Sequence, residues 1–161
     1  MHVCTYICIV KLEEALKTNR FQSERHKASL NIMYTAYWMK SHVSQALKES
    51  GLTAEQFNVL RILKGSDPKA MCVKDIGSRM IEKSSNVPRI IDRLVIKKLV
   101  KRFTSEEDKR ETMVQLTERG ILLLEKTNKQ VSEMTDGVIG LSEEDALKLN
   151  EILEKMRAID L

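Results

Sequence analysis

Apolar residues recur at steps of three and four along most of this chain, which is the spacing of amphipathic helices. The pattern predicts one long helix over 23–49, ended by Gly51, and a second helix that begins after Thr53. Thr53 and Gln56 have the spacing of a capping box, in which two side chains satisfy amides at a helix start. A short third helix is expected over 73–80, after a loop rich in turn-forming residues.

The fourth predicted helix is marked by an apolar stripe and by an early proline. Pro88 fits only in a first turn, because an interior proline loses a hydrogen bond and clashes with the preceding turn. The helix is therefore expected to start near Ser84 or Ser85, either of which is able to cap it. Apolar residues at helical spacing are Val87, Ile90, Ile91, Leu94 and Leu99, of which the first four are predicted to face inward.

After this helix the apolar period changes from helical to alternating. The segments 100–104 and 112–116 are predicted strands, joined by a charged tip at 105–111. Two more helices follow, one capped by Thr117 and broken by Gly137 and Gly140, the other capped by Ser142 with Asp145. Two short helices, a tight turn and a hairpin are typical of a winged helix-turn-helix, so the predicted fold class is mainly α with an α+β wing.

Composition narrows the class of protein and the kind of partner. The 161 residues are 42% hydrophobic and 31% charged, as expected for one soluble domain, and only 4% aromatic, which disfavours a β-sandwich or barrel. The net charge of +4 is unevenly spread. The segment 73–110 holds eleven basic and six acidic residues, a net +5, and the remainder of the chain is −1. A local basic excess favours a polyanion as partner, although a solvated helix face has the same composition.

The cysteines and histidines predict neither a disulfide framework nor a catalytic site. Three cysteines, Cys4, Cys8 and Cys72, fit a reducing cytoplasm. No histidine has a nucleophile or carboxylate at catalytic spacing, and there is no glycine-rich phosphate loop, so we expect no enzyme and no cofactor. Cys4 and Cys8 with His2 have metal-ligand chemistry, but they lie in 1–10, expected to be a disordered or non-native leader, and no metal is predicted. That apolar run is too short to cross a membrane.

The outward positions of the fourth helix carry the chemistry of base recognition. Asn86, Arg89 and Arg93 share one stripe at steps of three and four. Arginine binds guanine and asparagine binds adenine through paired hydrogen bonds, and the hydroxyls of Ser84 and Ser85 suit phosphates or bases. The alternative is a solvated face with both arginines in ordinary ion pairs. The position between a helix-turn-helix turn and a hairpin favours DNA recognition.

The hairpin tip is the second candidate element. A minor groove is narrow and electronegative, so Arg110 on a thin projection suits it, with Lys109 beside it for a phosphate. Asp108 is interpreted as an orienting partner that either holds the Arg110 guanidinium or braces the tip against the recognition helix. The alternative for Asp108 is a plain turn-forming residue.

These motifs resemble the MarR family of bacterial transcription regulators. The matching stretches are 52–63, 73–80, 90–100, Asp-Lys-Arg at 108–110 and Val-Gln-Leu-Thr-Glu-Arg-Gly at 114–120. The resemblance implies a homodimer that binds a pseudo-palindromic operator and is often released by a small ligand or an oxidant. It also implies that Arg110 enters the minor groove and that Asp108 orients it. Two residues depart from the family pattern, Pro88 in place of a polar residue and Cys72 in place of a capping serine or threonine.

The resemblance and the apolar surface of the terminal helices together predict the organisation of the chain. Residues 11–50 are expected to form N-terminal dimerisation helices, 51–117 the DNA-binding winged domain, and 118–161 the C-terminal dimerisation helices. The alternative is that the last helix only closes the core of the monomer. Residues expected to pair across a two-fold axis are Ile152, Leu153, Met156, Ile159 and Leu161.

The effector and the direction of regulation are the least determined parts of the function. A stripe of Met33, Tyr34, Tyr37 and Trp38 is a candidate lining for a ligand pocket, with ordinary core packing as the alternative. Cys72 is either a redox-sensitive thiol at a helix start or an inert small residue. The predicted function is a cytoplasmic homodimeric repressor that binds double-stranded DNA, with an unknown small-molecule effector. The alternative is a winged-helix module that binds another protein.

Overall fold

The computed structural model describes residues 10–82 and 86–158. The chain divides into two compact units, residues 32–134 and residues 1–31 with 135–161. The predicted mainly helical class is confirmed, with a small antiparallel sheet beside the helices. Seven helices are described: α1 Leu12–Leu16, α2 Glu24–Ala46, α3 Ala54–Lys64, α4 Val73–Arg79, α5 Val87–Ile96, α6 Glu118–Val138 and α7 Glu143–Arg157.

The sheet has three described strands, one more than the sequence predicts. Strands β2 (Val100–Thr104) and β3 (Thr112–Leu116) have the predicted bounds and pair antiparallel, with Val100 opposite Leu116. The additional strand β1 (Met71–Cys72) pairs with the other edge of β3, which gives the order β1-β3-β2. A strand of two residues has no alternating pattern, and it exists only because β3 offers a free edge.

The core of the 32–134 unit lies between α3, α4, α5 and the sheet. Because apolar side chains recur every three to four residues on these short helices, each buries one face and leaves the other in solvent. Helix α4 packs beside α5, since a Cβ added at Gly77 would lie in ordinary van der Waals contact with Val87 Cγ2, at 3.5 Å. Fully buried apolar residues here include Val59, Leu60, Ile76, Ile91, Leu94, Val114 and Leu124.

The predicted capping box of α3 is confirmed. The Gln56 amide donates to Thr53 Oγ1 at 3.3 Å, and the Thr53 amide donates to Gln56 Oε1 at 3.4 Å. Cys72, which stands in place of a capping serine or threonine, caps α4 through its thiol, because Cys72 Sγ accepts from the Asp75 amide at 3.4 Å. A long, weak contact of this kind is what a thiol provides as a cap.

Helix α5 is described from Val87, with Asn86 as its N-cap and Pro88 in the first turn as predicted, whereas the predicted capping residues Ser84 and Ser85 lie outside the described residues. One predicted boundary is wrong. Helix α6 is not broken at Gly137 but continues to Val138. A glycine inside a helix costs only about 1 kcal/mol relative to alanine, so neighbouring residues are able to carry the helix past it.

The smaller unit contains α1, the first turns of α2, the end of α6, and α7. The Lys27 ammonium and the Glu13 carboxylate form an ion pair between α2 and α1, and this pairing lowers the pKa of Glu13. Ser142 caps α7 as predicted, accepting from the Asp145 amide at 3.1 Å. Residues 1–9 of the predicted leader lie outside the described residues. Across the described part of the chain, each helix is too short or too polar to cross a membrane.

Candidate nucleic-acid interface

Helix α5 buries one face and presents the other to solvent. Val87, Ile91 and Leu94 are buried, as the sequence predicts. Arg89 and Arg93 are exposed on the opposite side, one turn apart. The helix is only ten residues long, so its outer face is a single short stripe.

Both exposed arginines are available for a ligand. Within residues 10–82 and 86–158, neither the Arg89 nor the Arg93 guanidinium has an ion-pair partner within 4.0 Å. The alternative of ordinary ion pairs for these two residues therefore finds no support in the described residues. Unpaired guanidinium groups on a helix face need no ion pair broken before they bind a base or a phosphate.

Of the other residues predicted to contact DNA from α5, the structure describes Asn86. Asn86 is exposed and lies at the N-cap, immediately before the first turn of α5. Ser84 and Ser85 lie outside the described residues. Asn86, Arg89 and Arg93 are thus the predicted base-contacting residues that the structure describes.

The hairpin tip is closed by a short set of local hydrogen bonds. The Ser105 amide donates to the Glu111 carbonyl at 3.0 Å, and the Glu111 amide donates to the Asp108 carbonyl at 2.8 Å. The Ser105 hydroxyl accepts from the Asp108 amide at 3.3 Å. These bonds fix the backbone that carries Lys109 and Arg110, and both of these side chains are exposed.

Asp108 holds the Arg110 side chain through three hydrogen bonds. Asp108 Oδ1 accepts from the Arg110 amide at 2.9 Å and from Arg110 Nε at 3.1 Å, and Oδ2 accepts from Nη2 at 3.0 Å. These bonds lower the pKa of Asp108 and raise that of Arg110. Arg110 nevertheless remains 91% exposed, compared with 40% for Asp108. The aspartate therefore fixes the direction of the guanidinium without covering it.

An ion pair between helix and wing was not foreseen from the sequence. Arg102 on β2 and Asp92 on α5 meet at 2.5 Å between Nη1 and Oδ1, both side chains being about half exposed. The pair ties the wing to the outer face of α5 and neutralises the acid on that face. The two residues are ten positions apart and lie on a helix and a strand, so neither helical nor strand spacing in the sequence predicts that they meet.

Polar contacts also hold the C-terminal end of α5 and the turn before it. Lys97 Nζ donates to Gln56 Oε1 at 2.9 Å and to the Gly51 carbonyl. The Ile81 amide, in the segment between α4 and α5, donates to Asn58 Oδ1 at 3.2 Å on α3. The position of α5 is thus set by α3 as well as by its own apolar face.

An apolar cavity of about 570 Å³ lies between α2, α3 and the end of α4. Lys40 and Glu82 form an ion pair at its edge, with 2.6 Å between Nζ and Oε1, and this contact raises the pKa of Lys40. Of the four predicted pocket residues, Tyr37 lines this cavity, whereas Met33, Tyr34 and Trp38 are not among its lining residues. Its apolar walls come from Ala36, Tyr37, Met39, Val43, Met80 and Ile81.

The predicted dimerisation residues are distributed along α7, in the other unit. Ile152 is 63% and Met156 60% exposed, and Leu153 is half-buried. Ile159 and Leu161 lie outside the described residues. No residue of α7 is buried, so this helix does not act as a core element of the described chain.

Comparisons of the sequence with known proteins agree on one family. The model of the MarR family matches residues 52–112. The HTH-type transcriptional regulator MhqR of Bacillus subtilis is 30% identical over 121 residues, which cover 73% of this chain and 81% of MhqR. The HTH-type transcriptional regulator MgrA of Staphylococcus aureus is 27% identical over 142 residues, covering 83% and 92% of the two chains.

A solved complex has the same fold. The S. aureus MepR–DNA complex superposes with a TM-score of 0.72 at 27% identity, over 80% of this chain and 94% of MepR. The matched family region, 52–112, contains α3, α4, α5 and most of the wing. Those elements carry the exposed arginines and the Asp108–Arg110 pair described above.

Proposed function

Because this chain belongs to the MarR family of transcription regulators, we propose that it binds double-stranded DNA as a homodimer on a pseudo-palindromic operator and acts as a repressor. The observation that carries the proposal is that two separate elements each present an exposed arginine. One is the exposed face of α5 with Arg89 and Arg93 free of ion pairs among the described residues. The other is a hairpin tip whose Arg110 is oriented but uncovered.

The two elements suit the two grooves of B-DNA. A major groove admits one α-helix, and arginine side chains on that helix form paired hydrogen bonds to guanine. A narrow minor groove attracts a single guanidinium on a thin projection. Arg110 meets that requirement because Asp108 holds it by two side-chain hydrogen bonds, which reduces the conformational entropy lost on binding. The MepR–DNA complex, a relative of the same fold, supports DNA as the ligand class.

A second copy of the chain is the proposed occupant of the apolar face of α7. Leu149, Ile152, Leu153 and Met156 follow one another at steps of three, one and three residues and so share one side of the helix. Three of these are exposed, which is costly for an isolated monomer. A two-fold dimer would place two copies of α5 about 34 Å apart, one turn of DNA, which accounts for operator symmetry.

The decisive experiment selects bound sites from random DNA and then measures affinity against salt. We expect an inverted repeat, and an affinity that falls steeply as salt releases counterions from the phosphates. Arg110→Ala should lower the salt slope by about 1.8 for a dimer, which loses two charges, and leave the melting temperature unchanged. Glu111→Ala, next to it and exposed, is the matched control. A weak salt dependence with no enriched site would instead favour a protein-binding module.

The dimer has its own test. Ile152→Glu together with Met156→Glu should convert the dimer to monomer in analytical ultracentrifugation, because two charges then lie on the pairing face. Glu151→Lys, on the opposite side of α7, is the control and should leave the mass unchanged. A dimeric mass for the double variant would contradict the placement of the interface on this face.

We also propose that the cavity beside Lys40 binds the effector, an apolar molecule that carries an anionic group. The apolar walls suit the body of such a ligand, and Lys40, which lies beside the carboxylates of Glu82 and Glu55 at the edge, is the cation for its anionic group. An anion that pairs with Lys40 would release Glu82, in the segment that leads into α5. The probe is 1-anilinonaphthalene-8-sulfonate, whose fluorescence should rise on binding and whose addition should weaken operator binding. Lys40→Met should lose both effects, Lys48→Met neither; equal responses from the two variants would refute the site.

A further inference from the structure

Pro88 places an apolar ring in the first turn of α5, where any other residue would also contribute a backbone N–H donor. It is the second residue of the helix, directly after the buried Val87, and it is exposed. Proline has no backbone N–H, so it removes one of the free amides from the first turn. This end of the helix is therefore less suited to holding a phosphate and presents instead a rigid hydrocarbon surface.

The neighbours of Pro88 define what the ring lies beside. Arg89 follows it and has no ion-pair partner among the described residues. Asp92, one turn later on the same side, is held by Arg102 at 2.5 Å and so has its charge satisfied. Ile96 is also exposed and apolar, but it ends the helix. Pro88 is thus an exposed apolar residue at the N-terminal end, next to a free guanidinium.

The N-terminal residues of a recognition helix are those that contact base edges in the major groove. In that groove the apolar group of the bases is the C5 methyl of thymine, and the other exposed atoms are mainly hydrogen-bond donors and acceptors. Against a G·C pair the ring would leave polar groups desolvated and unpaired, which is unfavourable. We propose that Pro88 contacts a thymine methyl and so specifies a T·A pair beside the base bound by Arg89.

This inference rests on the proposed function, and thymine-to-uracil replacement tests it separately. Deoxyuridine removes only the methyl group and keeps every hydrogen bond of the base pair. Each half-site selected from random DNA should contain one thymine whose replacement by deoxyuridine lowers the affinity about fourfold, the value for losing one buried carbon group. Replacement of other thymines in the half-site should have little effect.

A variant pair locates the methyl contact on the protein. Pro88→Ser should bind the thymine and uracil operators equally, because the small polar side chain no longer covers the methyl. Ile96→Ser, which removes an exposed apolar side chain from the other end of α5, should keep the fourfold difference. Thermal unfolding of both variants shows whether α5 is retained. If Pro88 only helps to start the helix, replacing it will change the stability of the protein but not its preference for thymine over uracil.

The outcomes distinguish failure of the proposed DNA binding from failure of the proposed Pro88–thymine contact. Absence of any bound site overturns the proposed function and this inference with it. Specific binding that tolerates uracil at every position overturns the inference and leaves the proposed function intact. The same holds if the uracil effect persists at full size in Pro88→Ser, whereas its loss in Pro88→Ser and retention in Ile96→Ser support the contact. The uracil scan of the unaltered protein remains decisive even if a variant fails to fold.

Discussion

Replacement of Gly120 by alanine tests the packing that places α6 against the junction between α5 and the wing. A Cβ at this position would lie 2.0 Å from the Leu99 carbonyl oxygen, in backbone that cannot rotate away. The helix would have to retreat by about 1 Å to reach the shortest contact that real Cβ atoms tolerate. That movement pulls on the hydrogen bond from the Thr117 amide to the same Leu99 carbonyl, which is 3.1 Å long.

The size of the effect follows from three contributions. Overpacking against a rigid neighbour costs about 1–3 kcal/mol, and loss of the Thr117–Leu99 hydrogen bond costs about 1 kcal/mol. The better helix propensity of alanine offsets about 1 kcal/mol of this loss in the free energy of unfolding. We therefore expect Gly120→Ala to lower the free energy of unfolding by about 1–3 kcal/mol, and the melting temperature by roughly 2–12 °C for a chain of this length.

Gly137→Ala is the matched control, since Gly137 also lies in α6 but a Cβ added there would have no neighbouring atom within 4 Å. This change should raise the stability by about 0.5–1 kcal/mol through propensity alone. Urea unfolding followed by circular dichroism, at one fixed protomer concentration because dimerisation contributes, measures both variants. If the two alanines shift stability in the same direction, the close approach at Leu99 does not exist in solution.

Three further changes test local features. Lys98, just after α5, has a left-handed backbone with φ +59°. Its amide donates to the Val95 carbonyl, and the Leu99 amide donates to the Leu94 carbonyl, so these two bonds close the end of the helix. Because glycine adopts this backbone without strain, Lys98→Gly should raise the free energy of unfolding by about 1 kcal/mol in urea unfolding. Ser142→Ala removes the cap of α7 and should cost about 1 kcal/mol by the same assay. The lowered pKa of Asp108 means that its bonds to Arg110 persist at neutral pH and are lost as the pH falls through that lowered pKa. The Arg110 Nε–H resonance should then move at a pH below the usual range of an aspartate, and Asp108→Asn should abolish that transition.

The parts of the fold with a local signal could be predicted from the sequence. The capping box of Thr53 with Gln56 marks the start of α3, and the alternating residues of 112–116 mark β3. The start of α5 could not be fixed to one residue, because Ser84, Ser85 and Asn86 are all residue types that cap helices well and the sequence does not distinguish among them. The two-residue strand at Met71 had no pattern of its own.

The candidate interface was predictable to a similar extent. The stripe of Arg89 and Arg93 follows from helical spacing, and the proximity of Asp108 to Arg110 follows from their separation of two residues in a turn. The Asp92–Arg102 pair joins a helix to a strand through the folded chain, so no spacing rule anticipates it. The apolar cavity has the same origin, because its walls come from α2, α3 and the end of α4, which meet only after folding.

The contacts around α5 set a limit on how a ligand could control it. Its apolar face is buried and not easily moved, whereas three of the polar contacts that orient it and its preceding turn are exposed: Lys40–Glu82, Ile81–Asn58 and Asp92–Arg102. An exposed ion pair contributes about 0–1 kcal/mol, so breaking one changes an affinity by about fivefold at most. A change larger than fivefold therefore requires that the proposed effector also act on Met80 and Ile81, and not only on the Lys40–Glu82 ion pair.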